Sequence, residues 1–242
     1  MTEAITTESP QTIDEVFPVA HPDRPQAACA LVLDTSRSMR GEKIRGLEAG
    51  VKAYKEYLTK DPMAKDIVET CVITFNNDAQ VVHSFSNVQE MPDIALEAKG
   101  WTAMGAAIDM AIQQIEERKN YYKEEGVDYY RPFLVLITDG GPTDMKGAKL
   151  EEYAQKIQEG ARSKKYVPLV FGTKNADFDK LKKLVGETGA VVGIDQARFE
   201  DLFQWLSRSV SGLKDSKPGD VVQLEDPTKL TESNPNPFAF EV

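Results

Sequence analysis

Residues 27–39 read AACALVLDTSRSM, an apolar run that stops at Asp34 and passes into hydroxyl side chains. A short continuous apolar run of this kind is typical of a strand buried on both faces of a parallel sheet. Open α/β sheets bind ligands at the carboxyl ends of their strands, where such a run breaks off. The stretch therefore predicts a buried parallel strand and a binding loop directly after it.

Five oxygen-bearing side chains in three segments are candidate ligands of one metal ion. Asp34, Ser36 and Ser38 alternate after the first strand, so an extended loop would turn all three to one side. Thr102 precedes a predicted helix, and Asp139 follows another apolar run. Hydroxyls and carboxylates without His or Cys are hard ligands, which suit Mg²⁺ or Mn²⁺. We predict that the five residues bind such a cation together.

Each of the three segments has an ordinary structural explanation when it is taken alone. Asp34 and Thr102 have the side chains of helix N-caps, and Asp139 before two glycines fits a turn. Independent caps and turns have no reason to follow this order at these strand and helix boundaries. The combination of the three segments therefore favours the metal site.

The order of the segments resembles the metal-ion-dependent adhesion site (MIDAS) of von Willebrand factor type A (vWA) domains. The shared pattern is a D-x-S-x-S loop, a distant Thr before a helix, and Asp-Gly after a hydrophobic strand. The resemblance covers about residues 26–212. Three stretches further resemble the tellurite-resistance, TerY-like branch of this family, namely DTSRSMRGE (34–42), FLVLITDGGPTD (133–144) and LFQWLSRSV (202–210).

The resemblance implies a role for each candidate ligand. Ser36, Ser38 and Thr102 would bind the metal directly, and Asp34 and Asp139 directly or through water. A carboxylate from an Asp or Glu of a partner protein would fill the open position. The TerY-like branch further implies a stress-resistance complex in which a protein kinase and a phosphatase of the same system are partners.

Four residues next to the ligands are predicted to form the rim of the partner-binding surface: Arg37, Trp101, Gly140 and Gly141. Arg37 stands where Gly is common in the family, and an Arg pairs well with an acidic partner. Trp101 directly precedes the Thr ligand, and a Trp is a frequent interface anchor. A solvated Arg37 and a Trp101 packed on its own domain are the alternatives.

An enzyme built on this metal would need further groups. A hydrolase would require a general base near the metal-bound water, whereas His21 falls in the predicted arm and His83 near a sheet edge. Ser36 lacks the glycines of a nucleophile elbow, and the chain has no G-x-x-x-x-G-K loop. We therefore predict a binding module and no enzyme. A metal-dependent phosphatase or ATPase and a chelatase-like metal-handling accessory subunit remain as alternatives.

The composition restricts the class of partner and the location. The 242 residues carry a net charge of −10, which argues against nucleic acid or an anionic membrane surface as the main partner. Cys29 and Cys71 lie inside apolar runs and are predicted to be buried. The sequence contains no signal-peptide pattern and no stretch of membrane-spanning length, so we expect a cytoplasmic protein without membrane insertion.

The alternation of strand and helix patterns along the chain predicts an α/β fold. We expect a doubly wound, Rossmann-like sheet of about six mostly parallel strands with helices on both faces. Asn76-Asn77-Asp78 is a hairpin signal, which places one antiparallel strand at an edge. The predicted strands are 27–33, 68–75, 80–85, 132–137, 167–171 and 190–194, and the predicted helices are 44–58, one that opens at 102, 149–161, 178–185 and 198–211.

We predict three parts in the chain. Residues 1–25 form an acidic N-terminal arm with several prolines, residues 26–212 the vWA domain, and residues 213–242 a C-terminal tail. A carboxylate of the tail is a candidate internal ligand of the metal, because tethering raises its local concentration. The alternative is a tail that never visits the site.

Overall fold

The computed structural model describes residues 17–194, 198–224 and 239–241. A sheet of six strands lies at its centre, and two further strands pair with each other. The strands are β1 (Ala27–Asp34), β2 (Val68–Phe75), β3 (Ala79–Asn87), β4 (Phe133–Thr138), β5 (Val167–Thr173), β6 (Ala190–Ile194), β7 (Val221–Gln223) and β8 (Ala239–Glu241). The helices are α1 (Glu42–Lys60), α2 (Ala64–Ile67), α3 (Met104–Glu124), α4 (Ala148–Arg162), α5 (Phe178–Val185) and α6 (Phe199–Ser211).

The strand order of the central sheet is β3-β2-β1-β4-β5-β6, and β3 runs antiparallel to β2 while the other neighbours are parallel. This arrangement confirms the predicted α/β sheet with one antiparallel edge strand. Every residue of β1, β2, β4 and β5 is buried, which explains their continuous apolar runs. The chain leaves β1 towards β2 on one side and later returns to β4 on the other. The carboxyl ends of β1 and β4 therefore flank the crevice where such sheets bind ligands.

Helices cover both faces of the sheet, as the alternation of patterns predicted. α1 and α6 share one core with Leu31 and Leu33 of β1. α3, α4 and α5 share the other core, to which Ala30 and Val32 contribute. Successive side chains of a strand point to opposite faces, so one apolar run serves both cores.

Residues near the start of the described range 17–194 and near the end of the described range 198–224 pack against the domain. The Phe17 carbonyl accepts a hydrogen bond of 2.6 Å from Nη1 of Arg118, and Leu213 and Leu224 are buried in the core that α1 and α6 cover. Residues 1–16 of the predicted arm, and residues 225–238 and 242 of the predicted tail, lie outside the described residues. The domain limits at residues 25 and 212 stay predictions.

Two predictions about single features can be compared with the structure. Cys29 and Cys71 are fully buried free thiols, as expected from their positions inside apolar runs. No helix in the described ranges combines the length and the apolarity that a membrane crossing requires.

His83 gives edge strand β3 a pH-dependent stability. Its side chain is buried, and Nε2 lies 2.9 Å from the Ser86 hydroxyl. Burial, reinforced by the positive charge of Lys55, lowers the pKa of His83 to about 4, well below its usual value. The unfolded chain therefore takes up a proton at a higher pH than the folded protein does. The stability that neutral His83 supports is complete above pH 6.5 and is lost as the pH falls towards 4.

We expect His83→Asn to flatten this pH dependence. Between pH 7 and pH 4 the native protein should lose about 1–2 kcal/mol more of its free energy of unfolding than the variant, after allowance for partial solvent screening. Urea denaturation at several pH values measures the difference. Gln80→Asn, an exposed change on the same strand, is the matched control. Parallel pH profiles of the native protein and His83→Asn would contradict the prediction.

Candidate metal centre

Asp34 ends β1 at the crevice and is fully buried. Its Oδ1 accepts a hydrogen bond of 2.8 Å from the Ser36 amide, and its Oδ2 accepts one of 2.6 Å from the hydroxyl of Thr138, which ends the neighbouring strand β4. Burial raises the pKa of Asp34 above its usual value, the bonds from Ser36 and Thr138 offset only part of this rise, and the nearby Asp139 adds to it. Within the described chain both hydrogen-bond donors to this carboxylate are neutral, which leaves its charge available to a cation.

A chain of hydrogen bonds links three further predicted ligands across the crevice. The hydroxyl oxygens of Ser36 and Ser38 are 2.9 Å apart, and the Ser38 hydroxyl donates to Oδ1 of Asp139 at 2.6 Å. Asp139 is almost completely buried directly after β4. The structure therefore brings Asp34, Ser36, Ser38 and Asp139 together, although the first and last are far apart in sequence.

The loop after β1 is not extended, so the expected extended conformation is wrong, although the side chains of Ser36 and Ser38 still face each other on one side of the loop. Residues Arg37–Met39 form a short 3₁₀ helix, in which the Met39 amide donates to the Ser36 carbonyl at 3.0 Å. The physical reason is Met39, whose side chain is fully buried and draws the chain back to the core. Arg37 points away and is exposed, and the two serine hydroxyls meet through the turn.

Thr102 lies in an adjoining loop and does not contact the other four ligands through its hydroxyl. The side chain is 6% exposed, and its hydroxyl forms no hydrogen bond within the described ranges. The two loops are tied by their backbones, because the Arg37 amide donates to the Gly100 carbonyl at 3.1 Å. Thr102 thus stands beside the crevice with a hydroxyl oxygen for which the described residues provide no hydrogen-bond partner.

Helix α3 begins at Met104, so Thr102 precedes the helix by two residues and does not open or cap it. The cap comes from Asp144, whose carboxylate accepts hydrogen bonds of 3.1 Å from the amides of Gly105 and Ala106. Thr143 holds the Thr102 carbonyl through its amide at 3.0 Å and its hydroxyl at 2.9 Å. The loop after β4 therefore positions Thr102 as well as Asp139.

Lys43 was not among the predicted site residues, yet it reaches Asp139. Its ammonium forms an ion pair with Oδ2 of that carboxylate and donates to the Ser38 carbonyl at 3.2 Å. The Lys43 side chain is 13% exposed. Thr138, Thr143 and Asp144 were also missed. Nothing in the sequence around these three residues indicates a role at the site, because each binds a group in another loop or strand.

The predicted rim residues differ in exposure. Trp101 is 73% exposed, so it is not packed on its own domain, and Arg37 is exposed as well. The Trp101 backbone is fixed, since its amide donates to Oδ1 of Asn77 at 3.0 Å. Gly100 lies so close to Asn77, with a φ of +71°, that a side chain would not fit there. Gly140 and Gly141 are partly exposed.

The donors at the crevice fit a hard divalent cation. The predicted set has three hydroxyls and two carboxylates, and the described residues contain no cluster of three His, Cys, Asp or Glu side chains that would hold a metal. Such a donor set favours Mg²⁺ or Mn²⁺ over softer metals. Such an ion would balance the charge of the buried Asp34 carboxylate and would bind the Thr102 hydroxyl, which has no hydrogen-bond partner among the described residues.

A separate cavity of about 400 Å³ lies at the far ends of α1 and α6, lined by residues that include Tyr57, Ser207 and Ser211. α1 starts near the crevice and rises about 28 Å along its axis. This cavity is therefore unrelated to the candidate metal centre.

The sequence model of the von Willebrand factor type A domain matches residues 29–205. The solved structure of a von Willebrand factor type A protein from Catenulispora acidiphila has a TM-score of 0.64 at 20% identity, covering 82% of this chain and 45% of that one. The ArnB paralog VWA2 from Sulfolobus acidocaldarius has a TM-score of 0.51 at 17% identity, covering 76% and 45%. A comparison with curated proteins finds no match.

A third structure is that of proximal thread matrix protein 1 from the mussel byssus, which was solved with a zinc-occupied MIDAS motif. Its TM-score is 0.50 at 17% identity, and the match covers 76% of this chain and 46% of that one. This chain spans less than half the length of each of the three proteins. At these identities the likeness shows the fold alone.

Proposed function

The chain belongs to the von Willebrand factor type A domain family, and from this premise we propose that it is a metal-dependent protein-interaction module. The observation that carries the proposal is the hydrogen-bonded series Ser36, Ser38 and Asp139 beside the buried Asp34. These side chains meet where the strand order reverses, which is the usual ligand site of such sheets. Domains of this family are generally interaction modules. The zinc-occupied MIDAS of the mussel protein supports a divalent metal at the same kind of site.

We propose Mg²⁺ or Mn²⁺ as the metal, held by Asp34, Ser36, Ser38, Thr102 and Asp139. The three hydroxyl ligands are neutral, and two carboxylates, which bind directly or through water, leave part of the positive charge of the ion and part of its oxygen coordination open. The ion would supply a site for one more oxygen ligand. An Asp or Glu of a partner protein provides such an oxygen, and it also gains the attraction of a partly exposed cation.

The rim favours a partner segment in which the acidic residue has an apolar or aromatic neighbour. Trp101 is exposed on a fixed backbone next to Thr102, which suits an anchor that loses little entropy on binding. Arg37 adds a positive charge close to the same loop. Gly140 and Gly141 would leave the loop after β4 open to the partner's backbone.

Binding of short peptides tests the function directly. We expect peptides with a central Asp or Glu flanked by apolar residues to bind in the presence of Mg²⁺ and to dissociate with chelator. Matched peptides with Asn or Gln at the centre are the control, because they keep the shape and lose the charge. Equal binding of acid and amide peptides, or binding that survives the chelator, would refute the proposed function.

Thr102→Ala should weaken this acidic-peptide binding at least about tenfold while the fold stays intact, because one ligand oxygen is lost next to the open side of the ion. Isothermal titration in Mg²⁺ measures the affinity, and circular dichroism checks the fold. Thr59→Ala, at an exposed position in the last turn of α1, is the matched control. Unchanged affinity of Thr102→Ala would remove Thr102 from the site.

An enzyme on the same metal is the second candidate, and no described group favours it. His83 lies two strands away from β1 and is bonded to Ser86, while His21 lies 3.5 Å from Asp66 of α2. Neither histidine is placed to act as a base at the crevice. Phosphate release that disappears in Asp34→Ala would support a phosphatase or ATPase. Capture of an ATPase would instead favour the chelatase-like accessory subunit.

The biological setting that we propose rests on the TerY-like stretches quoted above. It is a cytoplasmic tellurite- or stress-resistance complex with a kinase and a phosphatase of the same system as partners. Affinity capture from the native host in Mg²⁺, compared with capture in chelator, tests this setting. Recovery of neither enzyme in the metal-dependent fraction would contradict it.

A further inference from the structure

We propose that Lys43 is a built-in competitor of the metal, which stabilises the metal-free site and sets the metal concentration at which the site fills. The inference deepens the proposed function and rests on it. It concerns a residue outside the five ligands. Its basis is the ion pair between the Lys43 ammonium and Asp139, together with the hydrogen bond from the same ammonium to the Ser38 carbonyl.

The position of Lys43 in α1 is itself unfavourable without such a role. It is the second residue of the helix, where the backbone amides carry partial positive charge that repels a cation. Arg45 shares this first turn but is exposed to solvent, and the remaining lysines of α1 lie in its middle or last turn, namely Lys52, Lys55 and Lys60. The ion pair with the buried carboxylate offsets the repulsion at Lys43 and leaves its side chain mostly buried.

The charges of the crevice explain what the ammonium does there. Asp34 and Asp139 are both buried and close enough for the charge of one to act on the other. Two neighbouring buried carboxylates repel each other, and one ammonium relieves part of that repulsion. Lys43 therefore supplies, from within the chain, part of the positive charge that a metal ion would bring.

A divalent ion that binds Ser38 and Asp139 would meet this ammonium within a few ångströms. Two positive charges at that distance repel, so metal binding has to displace the ammonium or bear the repulsion. Either outcome lowers the affinity for metal. The presence of Lys43 thus means that the site fills at a higher metal concentration than its ligands alone would require, and partner capture depends on the same threshold.

Lys43→Met tests the inference, because it removes the charge and keeps the length of the side chain. We expect the dissociation constant for Mn²⁺, measured by calorimetry or electron paramagnetic resonance, to fall about ten- to twentyfold. The melting temperature of this variant in chelator should be lower than that of the native protein. The rise in its melting temperature on adding metal should be larger. Lys43→Arg keeps the charge and should resemble the native protein, and Lys52→Met is a control for loss of an exposed lysine of α1.

The outcomes separate this inference from the proposed function. Absence of metal binding by the native protein would refute the function itself. If the native protein binds Mn²⁺ and Lys43→Met binds it with an affinity that is within twofold of the native value or lower, the competition alone is refuted. Lys43 would then be a residue that supports Asp139. Lys43→Gln serves as the second uncharged variant should Lys43→Met not fold, and the same two limits apply to it.

Discussion

Saturating Mg²⁺ or Mn²⁺ should raise the melting temperature of the native protein by about 5–10 °C, and Asp34→Ala should abolish this rise. A ligand at a hundredfold excess over its dissociation constant adds about 2.7 kcal/mol to stability when it binds the folded state alone. For a domain of this size each kcal/mol corresponds to about 2–4 °C. Asp34 is the buried carboxylate that both strands hold in place, so its loss removes charge and geometry together.

The quantity compared is the difference in melting temperature between metal and chelator, taken within each protein, because Asp34→Ala also changes the stability without metal. Asp78→Ala removes an exposed carboxylate in the hairpin between β2 and β3 and should keep the full metal effect. An equal metal-induced rise in Asp34→Ala would exclude Asp34 from the site. No rise in the native protein would exclude the site as a whole.

Arg118→Met should lower the free energy of unfolding by about 3–5 kcal/mol, because it leaves the carboxylate of Glu69 buried without a cation. Glu69 lies fully buried in β2, and Arg118 of α3 reaches it through Nε at 2.6 Å and Nη2 at 2.5 Å. The Tyr122 hydroxyl also donates to this carboxylate. Urea denaturation measures the loss.

Two further variants separate the cost of a buried unpaired charge from the cost of losing an exposed ion pair. Glu69→Leu combined with Arg118→Met removes both charges and should recover part of the stability, since two apolar residues need no ion partner but the buried Tyr122 hydroxyl loses its acceptor. Lys60→Met breaks an exposed pair with Glu56 and should cost less than about 1 kcal/mol. A loss of that small size in Arg118→Met would show that solvent reaches Glu69 and that the pair is not a buried one.

The Glu69–Arg118 pair also shows where reasoning from the sequence stops. Both residues fall within elements that were predicted, namely the strand 68–75 and the helix expected to open at residue 102. A charged stretch at the end of an amphipathic helix is normally solvated, and no local pattern distinguishes Arg118 from its neighbours. Only the packing of α3 against β2 and β3 encloses the two charges.

The element boundaries agree best where local patterns are strong. α5 and β6 begin and end at the predicted residues, and β4 is shifted by a single residue at each end. Two differences occur next to the crevice, in the 3₁₀ turn at Arg37–Met39 and in the start of α3 at Met104, which is two residues later than predicted. Both differences arise from contacts outside the segment, namely burial of Met39 and capping by Asp144.

The sequence by itself determined the succession along the chain of the six sheet strands and of the five helices other than α2, the sheet class, the family and the oxygen-rich chemistry of the candidate ligands. These properties are local, because a strand or helix records its burial in the spacing of its own apolar residues. The tertiary structure decided which groups meet. Thr138 binds Asp34 across 104 residues of sequence, and Lys43 pairs with Asp139 across 96. Such contacts depend on strand order and register, and these arise only when the whole sheet assembles.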